Sequence, residues 1–123
     1  MKKTQWFLLM VGSFLLVLLT ACATQKFTYG KYANADSSMV LNLQADGQFT
    51  VARLPSGFVT DQGTFTVNST ELTFLTSAEC HPNDVAYYEW SAKGAKMSFR
   101  LASYDSCSQR KGLMDGVSWT LMK

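Results

Sequence analysis

Met97-Ser98-Phe99-Arg100-Leu101 and Val117-Ser118-Trp119-Thr120-Leu121 place an apolar side chain at every second position. Side chains of a β-strand alternate between two faces, whereas those of a helix return to one face after three or four residues. A period of two therefore predicts strands with one buried and one wet face, which implies antiparallel pairing. Leu41-Asn42-Leu43-Gln44 and Leu72-Thr73-Phe74 alternate in the same way. Turn residues separate the runs, at Asp46-Gly47, Pro55-Ser56-Gly57, Asn68-Ser69-Thr70, Lys93-Gly94 and Asp115-Gly116. Asp46-Gly47 is the strongest of these signals, read as a two-residue hairpin loop with φ > 0 at both central positions. The spacing predicts eight strands, at about 27–33, 38–44, 48–54, 58–67, 71–77, 85–91, 96–103 and 116–122. Two connections are longer. Ser77 to Asp84 holds Cys80, His81 and Pro82, and Tyr104 to Asp115 holds Cys107 and room for a short helical turn before the last strand.

Short antiparallel strands joined by tight turns predict an all-β domain, a single small up-and-down barrel. Closure removes the edge strands that would otherwise pair with other chains. A two-sheet sandwich satisfies the same pattern. The inside of an eight-stranded barrel is filled by side chains or holds one small ligand. Candidate inward residues are Leu41, Leu43, Phe49, Val51, Phe65, Phe74, Tyr88, Trp90, Met97, Phe99 and Trp119. Phe49, Phe65, Phe74, Tyr88, Trp90, Phe99 and Trp119 are the candidates for ligand contact; the plainer role for each is to fill the core.

The start of the chain has a different character. Lys2 and Lys3 precede an apolar run from Trp6 to Leu19, broken only by Gly12 and Ser13, and Thr20, Ala21 and Cys22 follow. The run is shorter than the roughly 20 residues that span a bilayer comfortably. A charged start, an apolar middle and small residues at the end have the composition of an export signal. Leu19-Thr20-Ala21-Cys22 resembles the lipobox of bacterial lipoproteins. That resemblance implies a signal peptide over 1–21, lipid on Cys22, a tether over 22–26 and a folded domain over 27–123. One acyl chain binds a membrane only marginally, and the two or three chains of that family anchor stably. The resemblance also implies a place in the cell envelope. Ala23 after Cys22 points to the periplasmic side of the outer membrane in a Gram-negative cell. In a Gram-positive cell the protein would stay on the outer face of the plasma membrane.

Eleven Lys and Arg face nine Asp and Glu in the whole chain, and loss of Lys2 and Lys3 would leave nine of each. A neutral domain has no electrostatic footprint for nucleic acid. With Cys22 committed to lipid, Cys80 and Cys107 remain in a chain bound for an oxidising compartment, which predicts one disulfide. Free thiols or a metal site are the alternatives, but a metal needs more ligands than the neighbouring His81 adds. No Gly-rich phosphate loop or metal-ligand cluster is present in the sequence, and no cofactor is expected. His81 has no identifiable nucleophile beside it, and no spacing singles out an acid–base pair among Glu89, Asp105 and Asp115. An enzyme is not expected. Asn68-Ser69-Thr70 matches a glycosylation acceptor and is read as a turn.

Tyr29-Gly30-Lys31-Tyr32 is similar to the Gly-x-aromatic first strand of lipocalin-type barrels. Gly63-Thr64-Phe65 with Glu71-Leu72-Thr73-Phe74, and Tyr88-Glu89-Trp90 with Met97-Ser98-Phe99, resemble small exported lipocalin-like bacterial domains. Asp105-Ser106-Cys107, Arg110, Leu113 and Asp115-Gly116-Val117-Ser118-Trp119 resemble their last segment. The chain departs from lipocalins at Tyr32, where they usually have Trp, and in its shorter length. The resemblance implies a lipocalin-like barrel that binds a small apolar or amphipathic molecule. It also implies that Arg110 packs across Tyr32 or Trp119 by a cation–π contact. Trp90-Ser91-Ala92-Lys93-Gly94 resembles the aromatic–Lys–Gly loop of small lipoprotein inhibitors of lysozyme. A protein-interaction module, or an accessory envelope protein with a filled barrel, is the second expectation.

Overall fold

Every stretch that alternates apolar and polar residues becomes a strand with its apolar side turned inward. In a computed structural model, which describes residues 25–123, the strands close into one barrel. They are β1 (Gly30–Ala33), β2 (Met39–Leu43), β3 (Gln48–Arg53), β4 (Phe58–Val67), β5 (Glu71–Ser77), β6 (Ala86–Lys93), β7 (Lys96–Leu101) and β8 (Ser118–Leu121). One helix, α1 (Ser108–Met114), precedes β8. Each strand pairs antiparallel with the next, and β8 returns to β1 through Tyr32–Leu121 and Ala33–Thr120. The sandwich alternative is thereby excluded. Residues 1–24, with the expected signal peptide over 1–21 and Cys22, lie outside the described residues.

Tyr32, Leu41, Leu43, Phe49, Val51, Phe65, Leu72, Phe74, Ala86, Tyr88, Trp90, Met97, Phe99, Met114 and Trp119 form one buried cluster. All eleven residues expected to face inward belong to it. The closed hydrogen-bonded circuit and this cluster lie wholly within residues 25–123, so this part has what it needs to fold on its own.

Two register shifts shape β4. Val51 pairs with Asp61 but Ala52 with Val59, so Thr60 is the extra residue against β3. Thr64 pairs with Thr76 but Phe65 with Phe74, so Leu75 is the extra residue of β5. A bulge bends its strand and re-aims the side chains beside it. Here Asp61 is buried while Phe58 and Val59, past the bulge, are exposed.

Three details differ from the sequence reading. Residues 27–29 are not part of β1: Phe27 leaves the sheet and packs on Trp90 and Tyr29 with ring centroids 5.2 Å apart in each pair. The loop at Asp46-Gly47 has three residues, not two. Gln44 closes it onto Gln48, and the Gly47 N–H donates to the Gln44 carbonyl. Gly47 has φ +85° whereas Asp46 has no positive φ, so a turn followed by one left-handed residue connects these strands. Arg110 lies over the Phe74 ring, 5.6 Å from its centroid, rather than across Tyr32 or Trp119. The reason is Asp105, whose carboxylate accepts two hydrogen bonds from the guanidinium.

Candidate functional site

The up-and-down order gives the barrel two unlike ends. One end carries the loops 44–47, 68–70 and 94–95, and residues 25–29 enter there. The Gln25 side chain accepts from Ala92 N–H at 2.6 Å, Phe27 packs on Trp90, and the Tyr32 hydroxyl donates to the Thr28 carbonyl. The other end carries the loops 34–38, 54–57 and 78–85, together with α1 and the segment that leads to it. It is the helix end.

At the helix end a polar network is sealed into the core. The Arg110 Nε donates to Asp105 Oδ2 at 2.9 Å and its Nη2 donates to Asp105 Oδ1 at 2.7 Å. Nη2 also donates to the Asp84 carbonyl at 2.6 Å. The Tyr88 hydroxyl donates to Asp105 Oδ2 at 2.6 Å, and Cys107 N–H donates to Asp105 Oδ1 at 2.9 Å. Burial alone would raise the Asp105 pKa, but the hydrogen bonds from Arg110, Tyr88 and Cys107 outweigh it and hold the carboxyl below its ordinary range. Burial, then the Asp105 carboxylate, pushes the Tyr88 hydroxyl far up, so it remains a donor.

Cys80 and Cys107 are joined in a disulfide with Cα atoms 5.6 Å apart. It ties the loop between β5 and β6 to the start of α1, as the two cysteines predicted. A polar cleft of about 400 Å³ lies over it, lined among others by Glu79, His81, Asp84 and Gln109. A second groove, of about 510 Å³, runs between the β3–β4 hairpin and α1. Met39, Phe58, Val59 and Leu113 line it with Asp61 and Arg110.

The seven aromatic residues expected to meet a ligand are brought together in the buried core cluster. Phe49 and Phe74 meet edge to face at 5.0 Å, and Phe74 and Tyr88 at 5.8 Å. None of the seven exceeds 5% exposure, and a void that touches two of them, Phe49 and Phe74, holds only about 10 Å³. They pack as core, and the groove lies outside them. Glu89, Asp105 and Asp115 do not meet. Glu89 pairs with Arg100 on the outer surface, and Asp115 accepts from Leu101 N–H at 2.9 Å. Asn68 caps its own turn, accepting from Thr70 and Glu71 N–H.

Asp61 was not singled out by sequence. Its carboxylate accepts from the Ser77 hydroxyl and from Gln62 and Glu79 N–H. An acidic residue at an inward position of an otherwise alternating strand, two residues before Gly63, was the available signal. Comparison with family models, curated proteins and solved structures finds no match for this chain.

Proposed function

We propose that the protein is an envelope lipoprotein, anchored through lipid on Cys22 after removal of 1–21. Its barrel would bind a small apolar or amphipathic molecule at the end remote from the lipid. The observation that supports this is the direction of the chain. Residues 25–29 run across one end of the barrel, held by Gln25, Phe27 and Tyr32, while the groove opens at the other. With Ala23 to Lys26 as the whole tether, the entry end faces the membrane and the groove faces away. The binding surface is external because the interior aromatics are buried in the core. A groove of about 510 Å³ is in the size range of small-molecule sites. The Cys80–Cys107 disulfide suits the oxidising side of a membrane.

A protein partner is the second reading, favoured by one observation: Phe58 and Val59, at 68% and 47% exposure, stand at the groove's edge. Large exposed apolar residues grouped together mark interaction surfaces.

The test is expression of the full chain in bacteria fed an alkyne-bearing palmitate. The expected result is a labelled protein in the membrane fraction, with label and membrane association both lost in Cys22→Ser. An unlabelled protein in the soluble fraction would overturn the anchoring. Native mass spectrometry of residues 23–123 then separates a co-purifying small molecule from a protein partner.

A further inference from the structure

The groove at the helix end has a floor with more specific chemistry than its walls. Asp61 and Arg110 line both the groove and an adjoining void of about 10 Å³ that reaches towards Phe49, Phe74 and Met114. Arg110 is only 3% exposed, and its Nη1 has no hydrogen-bond partner among the described residues. That nitrogen carries two N–H donors, and a buried donor without an acceptor is costly. Asp61, 6% exposed, accepts one hydrogen bond on Oδ2 and two on Oδ1. An ionised carboxylate offers about four lone-pair sites, so Oδ2 retains acceptor capacity.

The charges decide which head group fits. Asp105 already balances Arg110, so Asp61 leaves the floor with a net negative charge, while Arg53 and Glu79 cancel at the rim. A carboxylate or phosphate would accept from Nη1 but meet the like charge of Asp61. An ammonium would donate to Asp61 but offer Nη1 no acceptor. A hydroxyl or primary amide does both. The void admits about one water-sized group, so a single such group enters it.

We propose that the groove takes an uncharged amphipathic molecule whose hydroxyl or amide accepts from Arg110 Nη1 and donates to Asp61, its apolar part lying along Met39, Phe58, Val59 and Leu113. This rests on the reading that the helix end is the binding end.

The experiment uses residues 23–123, labelled with nitrogen-15, and three probes with the same chain: n-octyl glucoside, octanoate and octylammonium, each below its micelle concentration. Octyl glucoside is expected to give saturable shifts at Phe58, Val59, Leu113 and the Arg110 side chain, with octanoate and octylammonium about tenfold weaker or worse. Val59→Asp, on the exposed wall, weakens octyl glucoside by about tenfold without touching the core. Asp61→Asn removes the floor charge and narrows the gap between octyl glucoside and octanoate. If that variant does not fold, Val59→Asp and the probe series still decide. Octanoate or octylammonium binding as tightly as octyl glucoside at these residues overturns the head-group assignment alone. No saturable binding by any probe, or shifts confined to other surfaces, overturns the groove as a small-molecule site altogether.

Discussion

Arg110 and Asp105 exchange two parallel charge-assisted hydrogen bonds at 2.7 and 2.9 Å, with both side chains almost out of water. Such a bidentate pair is strong and directional, yet much of its attraction only offsets the desolvation of the two charges. Removing one partner is therefore worse than lacking both. Arg110→Met is expected to cost about 3–5 kcal/mol in urea unfolding, because it strands the Asp105 carboxylate in the core. The same pair carries a pH dependence. Folding holds Asp105 below its ordinary value, so between the two values the unfolded chain binds more protons and stability rises with pH. The contribution is present above the ordinary Asp pKa of about 3.9 and is lost as pH falls through the lower folded value. Melting temperatures measured from pH 7 down to about 2 should fall steeply only in that acid window. The Asp105→Asn profile should be flatter there.

Among the elements, β4 and α1 place opposite demands on glycine. A Cβ at Gly63 would lie 2.0 Å from the Thr76 carbonyl oxygen and 3.0 Å from the Phe49 ring. The obstacle is backbone, so β4 and β5 would have to part, close to where their register shifts after Thr64. Gly63→Ala is expected to cost about 3 kcal/mol or more. Gly112 sits on the exposed side of α1, and a Cβ there meets nothing within 4 Å. Gly112→Ala should stabilise by about 0.5–1 kcal/mol through the lower chain entropy of the unfolded state. Chemical denaturation of both variants checks the pair, and the opposite signs separate close approach from conformational freedom. On the outer face, Glu71 lies directly across from Glu89, an unfavourable pair that Arg100 relieves by bridging to Glu89 from β7. Because Arg100 and Glu89 are exposed, that bridge has little weight in stability.

For the whole molecule, α1 closes one barrel end and is held by attachments distant in sequence. Arg110 reaches the Asp84 carbonyl, the disulfide joins Cys107 to Cys80, and Met114 enters the core. The disulfide closes a loop of sequence separation 27. Cys80→Ser with Cys107→Ser is expected to cost about 3 kcal/mol by freeing the unfolded chain. The closed strand circuit does not depend on it, so circular dichroism of the folded double variant should retain the β signature. Amide hydrogen exchange should then quicken first in residues 78–85 and 102–115, because local opening follows the loss of local attachments. Uniform acceleration across all eight strands would mean that the helix end and the barrel unfold as one unit.

The sequence by itself determined the period of the strands, and with it an antiparallel all-β domain; closure into a barrel rather than a sandwich was decided by the pairing of β8 with β1. Each side chain's face follows from its parity along the strand, which is a local property. Leu41, Phe74, Tyr88, Trp90, Phe99 and Trp119 were legible as inward for that reason, and Cys80 with Cys107 as a pair by count. Their use as core rather than as a cavity wall was not legible, because packing depends on how seven aromatic rings meet across the barrel. The groove was legible only in fragments. Arg110 was visible as a residue with a special place, but its partner was not. Tertiary structure alone put Asp105 beneath it, opened the bulge at Thr60 that leaves Phe58 and Val59 exposed beyond Asp61, and set residues 25–29 and the groove at opposite ends. Those are distances between residues far apart along the chain, and they become fixed only when the strands close.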